Sequence, residues 1–295
     1  MATVNPTPGR INVPVEDLRM NLDGLSCRFQ RAGSGPALLL VHGLMGYSFS
    51  WRHTIPALAG QATVYALDLP GTGLSDRSPA MDCRQAASAK RLLRFMDQAG
   101  IESCDLLGTS HGGALAMVAA TLAPLRVRRL ILVAPANPWS AYARFLIPFL
   151  SNPVIAPLFL QIFPRLRILH EFYFRRLFGD TRRIRPGTLE GYAAPLRAAG
   201  SFEYGLSVLR TWKQDMSGLR AAIPRIAHIP TLLVWGDRDA AVEPASAYRL
   251  KANFKNCRLL MWEGVGHLPY EEVPDEFNRA VATFLAEEFL TNVAR

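Results

Sequence analysis

The stretch Cys104-Asp105-Leu106-Leu107-Gly108-Thr109-Ser110-His111-Gly112-Gly113-Ala114-Leu115-Ala116 constrains this chain more than any other. It reads as a short apolar strand ending at Leu107, a sharp turn through Gly108 to Gly112, and an Ala-rich helix reaching about Ala123. The G-x-S-x-G pattern has a steric logic. A serine on a tight strand-to-helix turn holds a strained backbone, so the residues two before and two after it cannot carry bulky side chains. The helix that follows aims its N-terminus at the seryl oxygen, where it favours negative charge. Five residues alone also fit an ordinary strand-turn-helix with a solvated serine, so the flanks carry the argument.

Those flanks alternate strand and helix. Leu18 to Gln30 reads as two strands around Asp23-Gly24, a dipeptide suited to a type I′ turn. Ala37 to Val41, Ala62 to Leu69, Arg129 to Val133, Thr231 to Trp235 and Arg258 to Trp262 are apolar runs of the kind buried on both faces of a parallel sheet. Helices are expected over about Ser48–Leu58, Cys83–Ala99, Pro244–Ala252 and Asp275–Leu290. The rhythm breaks between Asn137 and Arg225, where the sequence is helical, Pro-interrupted and Arg-rich. The expected fold is α/β, a doubly wound, mostly parallel eight-stranded sheet carrying an inserted helical cap. The boundaries are 1–136 for the first part of the core, 137–225 for the cap and 226–295 for the second part.

Charge is concentrated in the insert. The chain has a formal net charge of +9. Residues 137–225 hold 12 Arg and Lys213 against Glu171, Asp180, Glu190, Glu203 and Asp215, or 13 − 5 = +8. No nucleic-acid-binding module accompanies this charge, and no nucleic-acid partner is expected. Three readings of the basic cap stay open: solvated arginines covering apolar helices with their stems, peripheral contact with an anionic membrane, and recognition of an acidic substrate by one or two of the arginines. The run from Phe145 to Phe163 is nearly long enough to span a bilayer, but Pro148, Pro153 and Pro157 and the central Ser151-Asn152 argue for short cap helices over a greasy pocket. Cys27, Cys83, Cys104 and Cys257 are scattered without metal or redox spacing and read as reduced thiols. Met1 to Glu16 has three prolines and no apolar core of a signal peptide, so a cytoplasmic location is expected.

A serine hydroxyl becomes a nucleophile when a base takes its proton, and a carboxylate-held histidine is the usual base. For a serine on this kind of turn, the carboxylate and then the histidine should follow on loops after later strands. The loop after Trp235 offers Asp237, Asp239 and Glu243. The loop after Trp262 offers His267, flanked by Gly264 and Gly266. His53, His170 and His228 lie in helices, cap or loop without such context and read as packing or surface residues. His42 and His111 are explained by the backbone motifs around them.

Five segments taken together, His42-Gly43-Leu44-Met45-Gly46, Asp68-Leu69-Pro70-Gly71-Thr72-Gly73-Leu74-Ser75, Gly108-Thr109-Ser110-His111-Gly112, Trp235-Gly236-Asp237-Arg238-Asp239 and Gly264-Val265-Gly266-His267, resemble the serine hydrolases of the α/β-hydrolase fold that carry a cap after the sixth strand. The likeness spans nearly the whole chain. It implies Ser110 as nucleophile, Asp239 as the acid with Glu243 as runner-up, and His267 as base. It also implies the backbone N–H groups of Leu44 and His111 as an oxyanion hole. Met45, Trp139 and Leu268 are expected to meet substrate. No cofactor or metal is implied.

The substrate is less legible. Serine at the turn argues against the epoxide hydrolase and haloalkane dehalogenase branches, which use aspartate there. A lipophilic carboxylic ester fits the aromatic and aliphatic cap, with Phe145, Leu146, Ile147, Phe149, Leu150, Phe159, Phe163, Phe172, Tyr173 and Phe174. A carbon–carbon bond hydrolase of ring-fission diketones, an acyltransferase or perhydrolase, and a non-catalytic binding protein are the alternatives. Leu268 departs from the aromatic residue that commonly follows the histidine in the ring-fission branch, and loss of a catalytic group would be expected of a non-catalytic protein.

Overall fold

The computed structural model describes residues 13–141, 146–150 and 152–288. The N-terminal residues 1–12, Phe145 and the end of the last expected helix at Leu290 therefore lie outside the described residues. Eight strands form one sheet: β1 (Glu16–Leu22), β2 (Leu25–Ala32), β3 (Ala37–Val41), β4 (Thr63–Leu67), β5 (Cys104–Thr109), β6 (Val127–Val133), β7 (Thr231–Gly236) and β8 (Cys257–Trp262). Their order across the sheet is β1-β2-β4-β3-β5-β6-β7-β8. The first hairpin is antiparallel, β2 runs antiparallel to β4, and every later pairing is parallel. Asp23 and Gly24 both have positive φ, 58° and 81°, as a type I′ turn requires.

The apolar runs are continuous because both faces of the sheet are covered. In β3, Leu39 and Val41 enter one core cluster while Leu38 and Leu40 enter the other. In β7, Leu233 and Trp235 face the first cluster while Leu232 and Val234 face the second. The period of two thus divides each of these strands between two apolar layers.

The helices are α1 (Ile55–Leu58), α2 (Gln85–Gln98), α3 (His111–Leu122), α4 (Leu146–Leu150), α5 (Ile155–Ile162), α6 (Arg167–Arg176), α7 (Thr188–Ala193), α8 (Ser201–Ala222), α9 (Ala245–Lys251), α10 (Pro269–Glu272) and α11 (Pro274–Ala286). The single helix expected over Ser48–Leu58 is two pieces, a 3₁₀ turn at Ser48–Trp51 and the short α1. Pro56 explains the break, since it lacks the N–H that would bond back one turn and its ring crowds the carbonyl there. Between β6 and β7 the described residues are helical, with α4 to α8 and short 3₁₀ turns. Helix α8 belongs to both layers. Its start holds Phe202 and Tyr204 among cap and loop residues, whereas Met216 and Leu219 join Ile223 and Ile226 in the main core cluster.

Candidate active site

Ser110 sits at the carboxyl end of β5, in the middle of the sheet, with φ 52° and ψ −121°. Such a backbone is costly for a residue with a side chain and persists only where the surroundings enforce it. They do so by contact. A Cβ on Gly108 would stand 2.4 Å from the Gly112 carbonyl oxygen, and one on Gly112 would stand 2.3 Å from the carbonyl oxygens of Val41 and His42. The turn is closed by the Ser110 N–H donating to the Val133 carbonyl, and by Gly113 and Ala136 N–H groups donating to the Ser110 carbonyl.

The loop after β3 lies directly against this serine. A Cβ on Gly43 would be 3.2 Å from Ser110 Cβ. His42 anchors that loop. Its Nε2 accepts from the Leu69 N–H at 3.1 Å, which leaves the proton on Nδ1 to donate to the Gly43 carbonyl at 2.8 Å. Complete burial pushes the His42 pKa down and keeps the ring neutral. The N–H groups of Leu44 and His111 have no acceptor among the described residues. His111 opens α3, so its N–H is one of the unsatisfied donors of a helix N-terminus. Its ring is buried against Trp212, with centroids 6.2 Å apart, and neither nitrogen has a partner among the described residues. Burial, with a smaller push from His42, lowers its pKa to about 3.

The carboxylate and the histidine meet. His267 Nδ1 lies 2.8 Å from Asp239 Oδ2, and both residues are buried. Asp239 accepts twice more at Oδ1, from the N–H of Ala241 at 2.7 Å and of Val242 at 2.9 Å. A carboxylate held by three donors fixes the proton on His267 Nδ1 and leaves Nε2 as the free ring nitrogen. The other acids of the loop are used elsewhere. Asp237 accepts from the Gly264 N–H at 2.7 Å, and Glu243 accepts from the Ser140 hydroxyl at 2.6 Å and from the Ala141 N–H.

Ser110, His111, Leu44, Met45, His267 and Leu268 all line one cavity of about 480 Å³ roofed by the cap, with Ile147, Phe159, Phe163, Phe172 and Phe174 among its apolar walls. Trp139 does not line it. The Asn137 side chain accepts from the Trp139 N–H at 3.0 Å, and the turn this makes sends the indole against the main core. His170 packs as expected of a buried histidine, its Nε2 2.8 Å from the Phe163 carbonyl oxygen and its ring against Phe163 and Phe202, yet it also touches the cavity.

Sequence reasoning missed the polar wall of this cavity. Ser50, Thr109, Tyr192 and Tyr270 line it. Behind them Glu271 pairs with both terminal nitrogens of Arg52 and accepts from the Tyr192 hydroxyl at 2.8 Å. Burial raises the pKa of Glu271, opposed by Arg52 and Tyr192, and burial with the neighbouring Glu271 charge raises that of Tyr270. Residues so far apart in the chain leave no local pattern. No group of three or more His, Cys, Asp or Glu that could hold a metal occurs among the described residues, whose four cysteines are free thiols.

A doubly wound sheet with a strained serine after its central strand and helices roofing the strand ends is a hydrolase architecture. A family model for the alpha/beta hydrolase fold matches residues 36–274, and the chain belongs to that family. It is 28% identical over 268 residues to a pimeloyl-(acyl-carrier protein) methyl ester esterase of Aeromonas hydrophila, covering 88% of this chain and 100% of the relative. It is also 28% identical over 297 residues to epoxide hydrolase 4 of Mus musculus, covering 92% and 79%. The solved structure of 2-hydroxy-6-oxo-6-phenylhexa-2,4-dienoate hydrolase from Rhodococcus sp. strain RHA1 matches with a TM-score of 0.79 over 94% of this chain and 100% of that one, at 21% identity, which is a likeness of fold. No described helix is long and apolar enough to cross a membrane.

Proposed function

We propose that this protein is a serine hydrolase that cleaves a lipophilic carboxylic ester through an acyl-enzyme on Ser110. The observation that carries the reading is that His267, which lines the same cavity as Ser110, is hydrogen-bonded to Asp239. Ser110 Oγ attacks the ester carbonyl while His267 Nε2 takes its proton, and Asp239 steadies the imidazolium that forms. The N–H groups of Leu44 and His111 donate to the tetrahedral oxyanion. One such fixed donor is worth about 10²–10³ in rate. His267 returns the proton to the departing alcohol. Water, deprotonated by His267, then attacks the acyl carbonyl, and Ser110 recovers its proton as the acid leaves.

Serine supports the ester reading over epoxide or alkyl-halide opening, since those reactions need a carboxylate nucleophile whose ester water can cleave. The phenylalanines of the cavity support an apolar acyl chain. The test is hydrolysis of p-nitrophenyl esters from acetyl to palmitoyl by wild type and Ser110→Ala. The expected result is turnover with medium or long chains and a loss of at least about 10³-fold in the variant. Wild type inert on every ester but active on ring-fission diketones would replace ester cleavage with carbon–carbon bond hydrolysis.

A further inference from the structure

The outer surface of the cap is apolar in a regular pattern. On α5, Val154, Leu158 and Ile162 recur every four residues and are 79%, 55% and 46% exposed, while Ala156 is buried and Phe159 faces the cavity. On α6, Ile168 is 83% exposed and lies outside the cavity lining, whereas Phe172, 58% exposed, reaches both solvent and the cavity, and His170 and Phe174 are buried. Phe149 of α4 is also exposed. Large apolar side chains repeating at four-residue spacing on the solvent side of α5, with Phe149 and Ile168 exposed on the helices before and after it, are unlike the scattered leucines of an ordinary surface.

The charge around these exposed side chains is predominantly positive. Residues 146–176 hold Arg165, Arg167, Arg175 and Arg176 against Glu171, a net +3. Arg165, Arg175 and Arg176 are exposed. Apolar side chains flanked by arginines on short helices match the headgroup boundary of an anionic bilayer, where these side chains enter the acyl region and the guanidinium groups meet lipid phosphates. The inner faces of the same helices line the cavity of Ser110. A lipophilic molecule leaving the bilayer would therefore meet the helices that roof the site.

We infer that the outer face of α4 to α6 docks on an anionic phospholipid bilayer. The inference goes beyond the ester reading, and binding is measured without turnover so that either can fail alone. The experiment is co-sedimentation of the whole protein, wild type and Ser110→Ala, with vesicles of pure phosphatidylcholine or of phosphatidylcholine with phosphatidylglycerol, at low and high salt. Both forms should pellet with the anionic vesicles, bind neutral ones at least tenfold more weakly, and release as salt rises. Arg165→Ala and Arg175→Ala should each weaken partitioning about fivefold. Val154→Glu with Ile168→Glu should abolish it. The Arg165, Arg175 and Val154/Ile168 variants should keep wild-type turnover of a short soluble ester, or wild-type thermal melting if no ester is turned over. Protein that stays in the supernatant overturns the inference, as does equal binding to neutral and anionic vesicles. So does a dimer in sedimentation equilibrium that Ile168→Glu dissociates, because the face would then belong to a second copy.

Discussion

The cap has two unlike halves. Residues 177–201 are bolted to the body by polar groups. The Leu177 carbonyl accepts from the His267 N–H at 2.7 Å, and Glu272 accepts from the N–H groups of Gly179, Asp180 and Gly266. Tyr47 donates to the Gly191 carbonyl at 2.9 Å, Arg52 to Thr188 at 3.0 Å, and Arg77 to Ser201 at 3.1 Å. Residues 152–170 are different. Among the described residues their hydrogen bonds close locally, Asn152 capping Val154, Arg165 reaching Gln161 and His170 reaching Phe163. This half is held by aromatic packing around Phe159, Phe163 and Phe202. Directional bonds fix one geometry, whereas apolar packing tolerates adjustment. One half can hold His267 in register while the other adjusts around the cavity.

The contrast is open to measurement, and Glu272 is where it should be largest. Its side chain is fully buried, so Glu272→Ala strands three backbone N–H groups and should cost about 3–5 kcal/mol in denaturant unfolding. Because Gly266 is one of the three, ester kcat should fall with stability, and a variant of unchanged stability would dissolve the distinction between the halves. Glu271→Ala comes next. It leaves Arg52 largely buried without its carboxylate and removes the Tyr192 bond, for about 2–3 kcal/mol, read as a lower Tm.

Acid should reach the molecule through the cavity floor. The buried His111 has its pKa lowered to about 3 in the folded state, against an ordinary value of 6.5. The unfolded chain therefore binds a proton that the folded one refuses. Stability is full above pH 6.5 and declines by at most about 1.4 kcal/mol per unit as the pH falls towards 3. The half-buried Asp180, whose pKa Arg182 holds down to about 2, keeps its charge over that window, so the turn it caps should survive. Urea titrations at pH 7, 6, 5 and 4 should show a shallower decline in His111→Gln. Parallel declines would remove His111 from the account. The smallest effect belongs to the apolar half: Val154→Ser should change stability by less than about 0.5 kcal/mol, since that side chain is already in water. A loss as large as that of Glu271→Ala would mean that the outer stripe is part of the core.

The eight strands, the serine turn and the order of Ser110, Asp239 and His267 were legible because each is written locally. Gly108 and Gly112 are forced by contacts within a few ångströms, and a strand covered on both faces can only be an apolar run. Pro56, which divides the helix expected over Ser48–Leu58, stands in the sequence in plain view. Three-dimensional packing decided the rest. Asp239 and Glu243 both follow β7, and backbone N–H donors assign one to His267 and the other to Ser140 and Ala141. Trp139 is an aromatic residue at the cap entrance, yet an Asn137 turn sends it to the core. Arg52, Tyr192 and Glu271 lie 140 and 79 residues apart along the chain, 192 − 52 and 271 − 192. No local pattern couples them, and the long-range packing that closes the cap over the sheet is what brings their charges and hydroxyls together.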